Sequence, residues 1–202
     1  LVAGKKANEL NHPIILDPVG AGASNLRTKT TFELLEKIHF DVIRGNISEI
    51  KTVFSGSGTT KGVDADISDV VTENNLEDAI NFAKELAQKT KSIIAITGAI
   101  DIVANEKDAF IIRNGNAMMS KVTGTGCMLT AMIGAFIAAN NKDDISKLKA
   151  VACAISVMGY SGELAYDKCK EIGTSSFRTS LIDNISLMTD AKLQKGIKLI
   201  KK

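Results

Sequence analysis

Short, continuously apolar runs, each leading through a polar turn into a helix-spaced pattern, constrain this chain more than any other feature. Ile14-Ile15-Leu16 and residues 92–97 (SIIAIT) lack the alternation of a half-exposed strand. Runs of this kind suit strands covered on both faces, as in a parallel sheet between two helical layers. Residues 41–44 read as a further strand, ending in Gly45. Between these strands lie helical spacings: residues 30–38 (apolar at 32, 34, 35 and 38), 47–54, and 76–88 with a stripe at 76, 80, 83 and 87. Asn75 is expected to cap the last of these, with Asp78 three residues on. Residues 1–10 read as a helix broken by His12-Pro13, residues 20–25 as a loop, and residues 55–69 as a flexible polar loop. Residues 100–104 and 109–112 read as a small antiparallel hairpin. Helical patterns follow at 128–139, 147–168 and 180–188, before a charged tail. The expectation is one α/β domain: a mostly parallel central sheet flanked by helices, with right-handed crossovers.

In such a sheet, ligands bind beyond the carboxyl ends of the strands. Asp17-Pro18, Arg44-Gly45-Asn46, Thr97-Gly98 and the loop 123–127 each follow a strand or lead into a helix, so they are expected to share one rim. The loop is the most informative. Gly124-Thr125-Gly126-Cys127 leaves backbone amides bare before an unbroken apolar run, and a helix start of this kind holds anions. Cys127 adds a nucleophile or base on the first turn. A Gly-rich turn over a buried Cys is the plainer reading.

The other candidates carry similar pairs of readings. Asp17 suits a carboxylate steering Mg²⁺ through water, or a simple turn cap. Asn46 and Glu49 suit a capping pair at a helix start or a metal–phosphate site. Arg44 at the end of a buried strand is costly unless it meets an anion, and a phosphate suits its fork. Thr97-Gly98 offers a hydroxyl and an amide, or merely ends a strand. Ser175-Ser176 is read as a cap for the final helix.

Composition excludes several function classes. Lys and Arg number 25 against 23 Asp and Glu, a net charge of +2, so neither nucleic acid nor an anionic membrane is an expected partner. Aromatics are 4% of residues, too few to build stacking platforms for bases. No stretch reaches the ~18–20 apolar residues of a membrane span, and no basic-then-apolar leader is read. Cys127, Cys153 and Cys169 have no metal or redox spacing, and their odd number argues against a disulfide framework; a reducing cytoplasm fits. The chain opens at Leu1 without Met, inside a helical pattern. A processed or missing N-terminal piece is therefore expected.

The ordered blocks together resemble one family. They run Leu16-Asp17-Pro18-Val19-Gly20-Ala21-Gly22-Ala23, Arg27-Thr28, Val42-Ile43-Arg44-Gly45-Asn46-Ile47-Ser48-Glu49-Ile50, Gly62-Val63-Asp64, Ile96-Thr97-Gly98, Asn114-Gly115 and Lys121-Val122-Thr123-Gly124-Thr125-Gly126-Cys127. In order and spacing this set resembles the hydroxyethylthiazole kinases of the ribokinase-like superfamily, with weaker similarity through 173–177. The resemblance implies a ribokinase-like three-layer sandwich. It also implies ATP- and Mg²⁺-dependent phosphorylation of the primary alcohol of 4-methyl-5-(2-hydroxyethyl)thiazole, in thiamine synthesis and salvage.

By the same resemblance, Arg44 and Thr97 fall on ATP-binding positions and Gly124 on a thiazole contact. Asp17 and Glu49 fall on carboxylates associated with Mg²⁺, and Asn46 with Glu49 matches the superfamily's Asn-x-x-Glu at the nucleotide end. The amides of Thr125, Gly126 and Cys127 would form the anion hole. Cys127 stands where most ribokinase-like enzymes carry an Asp base, and Cys there marks the thiazole kinases. A free thiol has a pKa of about 8.5 against about 3.9 for Asp, so the two differ in protonation near neutrality. Family members also carry an N-terminal stretch that is absent here, and form homotrimers with active sites at subunit boundaries. Two alternatives stand beside this reading: a ribokinase-like kinase of a hydroxymethylpyrimidine, against which Cys127 argues, and a non-catalytic ligand-binding subunit.

Overall fold

In a computed structural model of the chain, residues 1–56, 70–140 and 143–202 are described. Gly62-Val63-Asp64 and most of the loop expected at 55–69 lie outside them. Helix α1 (Val2–Glu9) precedes strand β1 (Ile15–Leu16), helix α2 (Asn25–Lys37), β2 (Val42–Gly45) and α3 (Ile47–Gly56). After α4 (Leu76–Thr90) come β3 (Ile93–Ile96), β4 (Asp101–Ala104) and β5 (Ala109–Ile112). The chain continues through α5 (Thr125–Ala139), α6 (Asp144–Cys169), α7 (Thr174–Ser186) and α8 (Asp190–Gln194) to β6 (Leu199–Lys201).

The strands form one sheet in the order β1-β2-β3-β4-β5-β6. β1, β2 and β3 pair in parallel, whereas β3/β4, β4/β5 and β5/β6 are antiparallel. The sheet is thus mixed, and the expectation of a mostly parallel one is corrected. The cause is that the β4–β5 hairpin is a continuation of the sheet itself. The charged tail then adds β6 along β5, pairing Ile111 with Ile200. Lys198, Lys201 and Lys202 hid this edge strand, although their charge suits an exposed edge.

Strand residues alternate between two cores, which makes three layers. Ile43, Ile94, Ile96 and Ile102 face one core with α3 and α4, while Val42, Ile93, Ala95 and Val103 face another with α5, α6 and α7. Both faces are covered, so the strands read as unbroken apolar runs. Local boundaries differ from expectation in three places. Helix α2 starts at Asn25, well before residue 30. Asn75 holds the N-cap position of α4 without a side-chain cap bond: its side-chain oxygen accepts instead from the Thr72 amide in a capping box around a 3-10 turn at Glu73–Asn75. Ser175 and Ser176 lie inside the first turn of α7, whose N-cap is Gly173, so they are not caps.

Candidate active site

Because β1, β2 and β3 run parallel and nearly in register (Leu16 opposite Ile43, Arg44 opposite Ala95), their carboxyl ends open on the same edge. Asp17 and Thr97 emerge one residue past their strands, on either side of Arg44. The guanidinium joins them: Nη1 donates to Asp17 Oδ2 at 2.9 Å and Nη2 donates to Thr97 Oγ1 at 3.0 Å. Arg44 and Asp17 side chains are each 14% exposed, so this ion pair is largely withdrawn from water. Thr130, from the second turn of α5, donates to Asp17 Oδ2 at 2.7 Å, with Gly126 O as its alternative acceptor at 3.1 Å. Two atoms of the cluster, Asp17 Oδ1 and Arg44 Nε, are sealed without a hydrogen-bond partner. Buried charges left this way favour a further ligand.

The α5 start lies directly against Arg44. Gly124 holds φ at +99°, a left-handed value that an L side chain would strain. That turn delivers Thr125, Gly126 and Cys127 as the first helical residues, with no side chain capping their amides. The Thr125 hydroxyl is already given to Met119 O (3.2 Å) or Val122 O (3.3 Å), so Thr125 offers its amide alone. Cys127 is exposed. A cavity of about 560 Å³ opens beside this start, lined by Arg44, Thr97, Asp101, Thr125 and Gly126 with Leu129, Ile155 and Met158 as apolar wall. Its size and its mix of apolar wall and few polar groups suit a small-molecule ligand.

Other candidates sit apart from the cavity. Glu49 Oε2 accepts the Asn46 amide and Asn46 Oδ1 accepts the Glu49 amide, each at 2.9 Å, a reciprocal capping box at the start of α3. Glu49 Oε1 accepts the Gly20 amide at 2.9 Å, which ties the loop after Asp17 to the same helix. Gly98 does not offer a free amide, since its N–H is donated to Asp101 Oδ1 at 2.8 Å. The Thr97 hydroxyl supports Arg44 as acceptor. Asp17, Asn46, Glu49, Gly124 and Cys127 surround the site without lining the cavity.

The whole chain has clear relatives. It matches the Hydroxyethylthiazole kinase family over residues 1–191. It is 55% identical over 194 residues to a hydroxyethylthiazole kinase of Clostridium acetobutylicum, covering 96% of this chain and 70% of that one. The chain belongs to the hydroxyethylthiazole kinase family. A Methanocella arvoryzae member is 42% identical over 200 residues, covering 98% of this chain and 70% of its own length. Among solved structures, that of the hydroxyethylthiazole kinase protein from Pyrococcus horikoshii OT3 superposes with a TM-score of 0.82 at 30% identity. It covers all of this chain and 70% of that one.

Among the polar residues of the site that escaped the sequence reading are Thr130 and Asp101. Thr130 is a single hydroxyl in an apolar helix run, and Asp101 is a single acid opening an apolar strand. Each is a polar interruption in a buried pattern, which is the signal that could have found them. For Mg²⁺, the residues present fit in part. Asp17 offers a sealed, unpartnered oxygen, whereas both Glu49 oxygens already accept N–H groups and suit the ion's water shell better than the ion itself. Among the described residues, no three His, Cys, Asp or Glu side chains gather as a metal cage. Mg²⁺ requires no such cage where one or two carboxylates act with water and phosphate oxygens.

Proposed function

We propose that this chain phosphorylates the primary hydroxyl of 4-methyl-5-(2-hydroxyethyl)thiazole with ATP, the step its family performs in thiamine synthesis and salvage. The fold is read as ribokinase-like on the same ground. The observation that carries the reading is the meeting of Arg44, anchored by Asp17 and Thr97, with the uncapped start of α5 at one mouth of a 560 Å³ cavity.

Phosphoryl transfer asks mainly for alignment and charge neutralisation. The amides of Thr125, Gly126 and Cys127 and the positive helix end hold the transferred group's oxygens. Arg44 faces the polyphosphate, kept in place by Asp17 and Thr97. The nucleoside occupies the cavity against Leu129, Ile155 and Met158. Asp17 and Glu49 are the carboxylates that would hold Mg²⁺, which would supply positive charge to the phosphate oxygens when bound. The exposed Cys127 stands at the same helix start, outside the cavity, where its sulfur aligns the acceptor hydroxyl and, in the thiolate form, takes up its proton late. Gly124, whose open backbone has nothing within 4 Å of a would-be β-carbon, leaves room for the thiazole. The homotrimer rests on the resemblance alone. Three free cysteines suit a cytoplasmic setting.

The test is ADP release by the purified chain with ATP and Mg²⁺, supplied with the thiazole alcohol, with a hydroxymethylpyrimidine, or with no acceptor. Release dependent on the thiazole supports the reading, and release dependent on the pyrimidine replaces it. Absence of both ATP binding and turnover overturns it. Sedimentation equilibrium of the same sample tests the trimer.

A further inference from the structure

The first residue of β4 is a carboxylate without a task in the phosphoryl transfer. Asp101 is 9% exposed. Its Oδ1 accepts the Gly98 amide at 2.8 Å, which closes the turn directly after Thr97. Oδ2 has no hydrogen-bond partner among the described residues, yet it is not among the sealed polar atoms. It therefore opens on the cavity that Asp101 lines. A carboxyl so withdrawn from water is costly when ionised, unless a cation answers it.

Few charges face it. Arg44 approaches from β2, already shared between Asp17 and Thr97. Arg113 lines the cavity from just past β5, held by Glu73 through two bonds of 2.8 Å. The α5 and α6 walls of the cavity (Thr125, Gly126, Leu129, Ile155, Met158) carry no ionisable group. On the other face of β4, α4 presents Ala79, Ile80 and Ala83. Burial accordingly outweighs the pull of the Gly98 amide and of Arg44, and the carboxyl is pushed up from its ordinary 3.8 to about 7.

We infer that Asp101 is a positioning residue for the nucleotide: through Gly98 it fixes Thr97 and hence Arg44, and the charge on its free oxygen sets how firmly the cavity holds polyphosphate. This rests on the reading of the cavity as the nucleotide site. When neutral, Asp101 leaves the Arg44 charge to the phosphates. When ionised, it draws on the same guanidinium and repels the incoming anion.

The experiment follows KM for ATP and kcat from pH 6 to 8.5 in the wild type, Asp101→Asn and Asp101→Ser. In the wild type KM is expected to rise by about tenfold across that range, the equivalent of one pKa unit. In both variants the rise is expected to be much smaller, with the kcat profiles changing less than those of KM. KM profiles that superimpose on the wild type overturn the inference. Asp101→Ala, which cannot accept from Gly98, is expected to raise KM at pH 6, where the wild-type carboxyl is neutral; an unchanged KM there overturns the positioning half. Carbon-13 carboxyl NMR of the wild type needs no variant to fold. A midpoint near pH 7 that moves upward with ATP supports the inference, and one below pH 5 overturns it. Wild-type turnover separates the two readings, because its absence defeats the kinase assignment, whereas turnover with superimposable profiles defeats this inference alone.

Discussion

The guanidinium of Arg44 lies so close to Gly126 that a β-carbon there would stand 3.1 Å from Nη1. The bare backbone of Gly126 is what allows a buried cation to rest on the first turn of α5. Gly126→Ala forces the end of a long side chain to yield by a few tenths of an ångström, while improving helix propensity by roughly 0.5–1 kcal/mol. The expected outcome is a protein no less stable in urea whose KM for ATP rises about tenfold, since ~1.4 kcal/mol of phosphate contact is lost. A stable variant with wild-type KM would separate Arg44 from the nucleotide.

Arg44 and Asp17 are a largely buried pair in which each needs the other. Removing Arg44 alone strands a carboxylate that keeps Thr130 as its donor, a situation that costs about 3–5 kcal/mol. Arg44→Ala combined with Asp17→Ala removes the stranded charge as well. The double variant is therefore expected to be more stable to urea than Arg44→Ala, and equally deficient in ATP turnover. Equal stabilities would show that water already reaches Asp17.

Much of the fold was legible because burial on both faces leaves a plain mark: the residues of β1 and β3 are apolar without interruption. The convergence of Asp17, Arg44 and Thr97 followed from the parallel part of the sheet, where strand ends share an edge. What remained hidden depended on pairing at a distance. Residues 199–201 (Leu-Ile-Lys) are a very short apolar pair set among Lys198, Lys201 and Lys202, so nothing local announces that they join β5. Gly98 reads as a free donor until the chain folds back and Asp101 Oδ1 accepts its N–H. Asn46 and Glu49 fit two readings equally well in sequence. Here their hydrogen bonds build a helix cap, with the metal reading left to the unused lone pairs.

Cys127 stands on the first turn of α5, exposed and outside the cavity. If the amides of that turn carry most of the stabilisation, Cys127→Ser keeps ATP affinity and loses turnover by roughly 10–100-fold, below the range of a strong general base. Cys127→Asp restores a base of lower pKa and is expected to exceed the serine variant. Stopped turnover in Cys127→Ser with intact ATP binding, read by calorimetry, would reverse the ranking of thiol and amides.

Asp101 gives stability a pH dependence opposite to that of most acids. Its midpoint is higher in the folded state (about 7) than its ordinary 3.8, so the unfolded chain ionises first as pH rises. Folding stability therefore falls between about pH 4 and pH 7 and levels off above, by about 4 kcal/mol at most for this one group. Asp101→Asn keeps an acceptor for the Gly98 amide and removes the titration. Urea unfolding at pH 4 is expected to find variant and wild type close, whereas at pH 8 the variant should be the more stable by a few kcal/mol. A gap that stays constant with pH would place the carboxyl in contact with bulk water, and with it would go the link between its charge and the hold of Arg44 on phosphate.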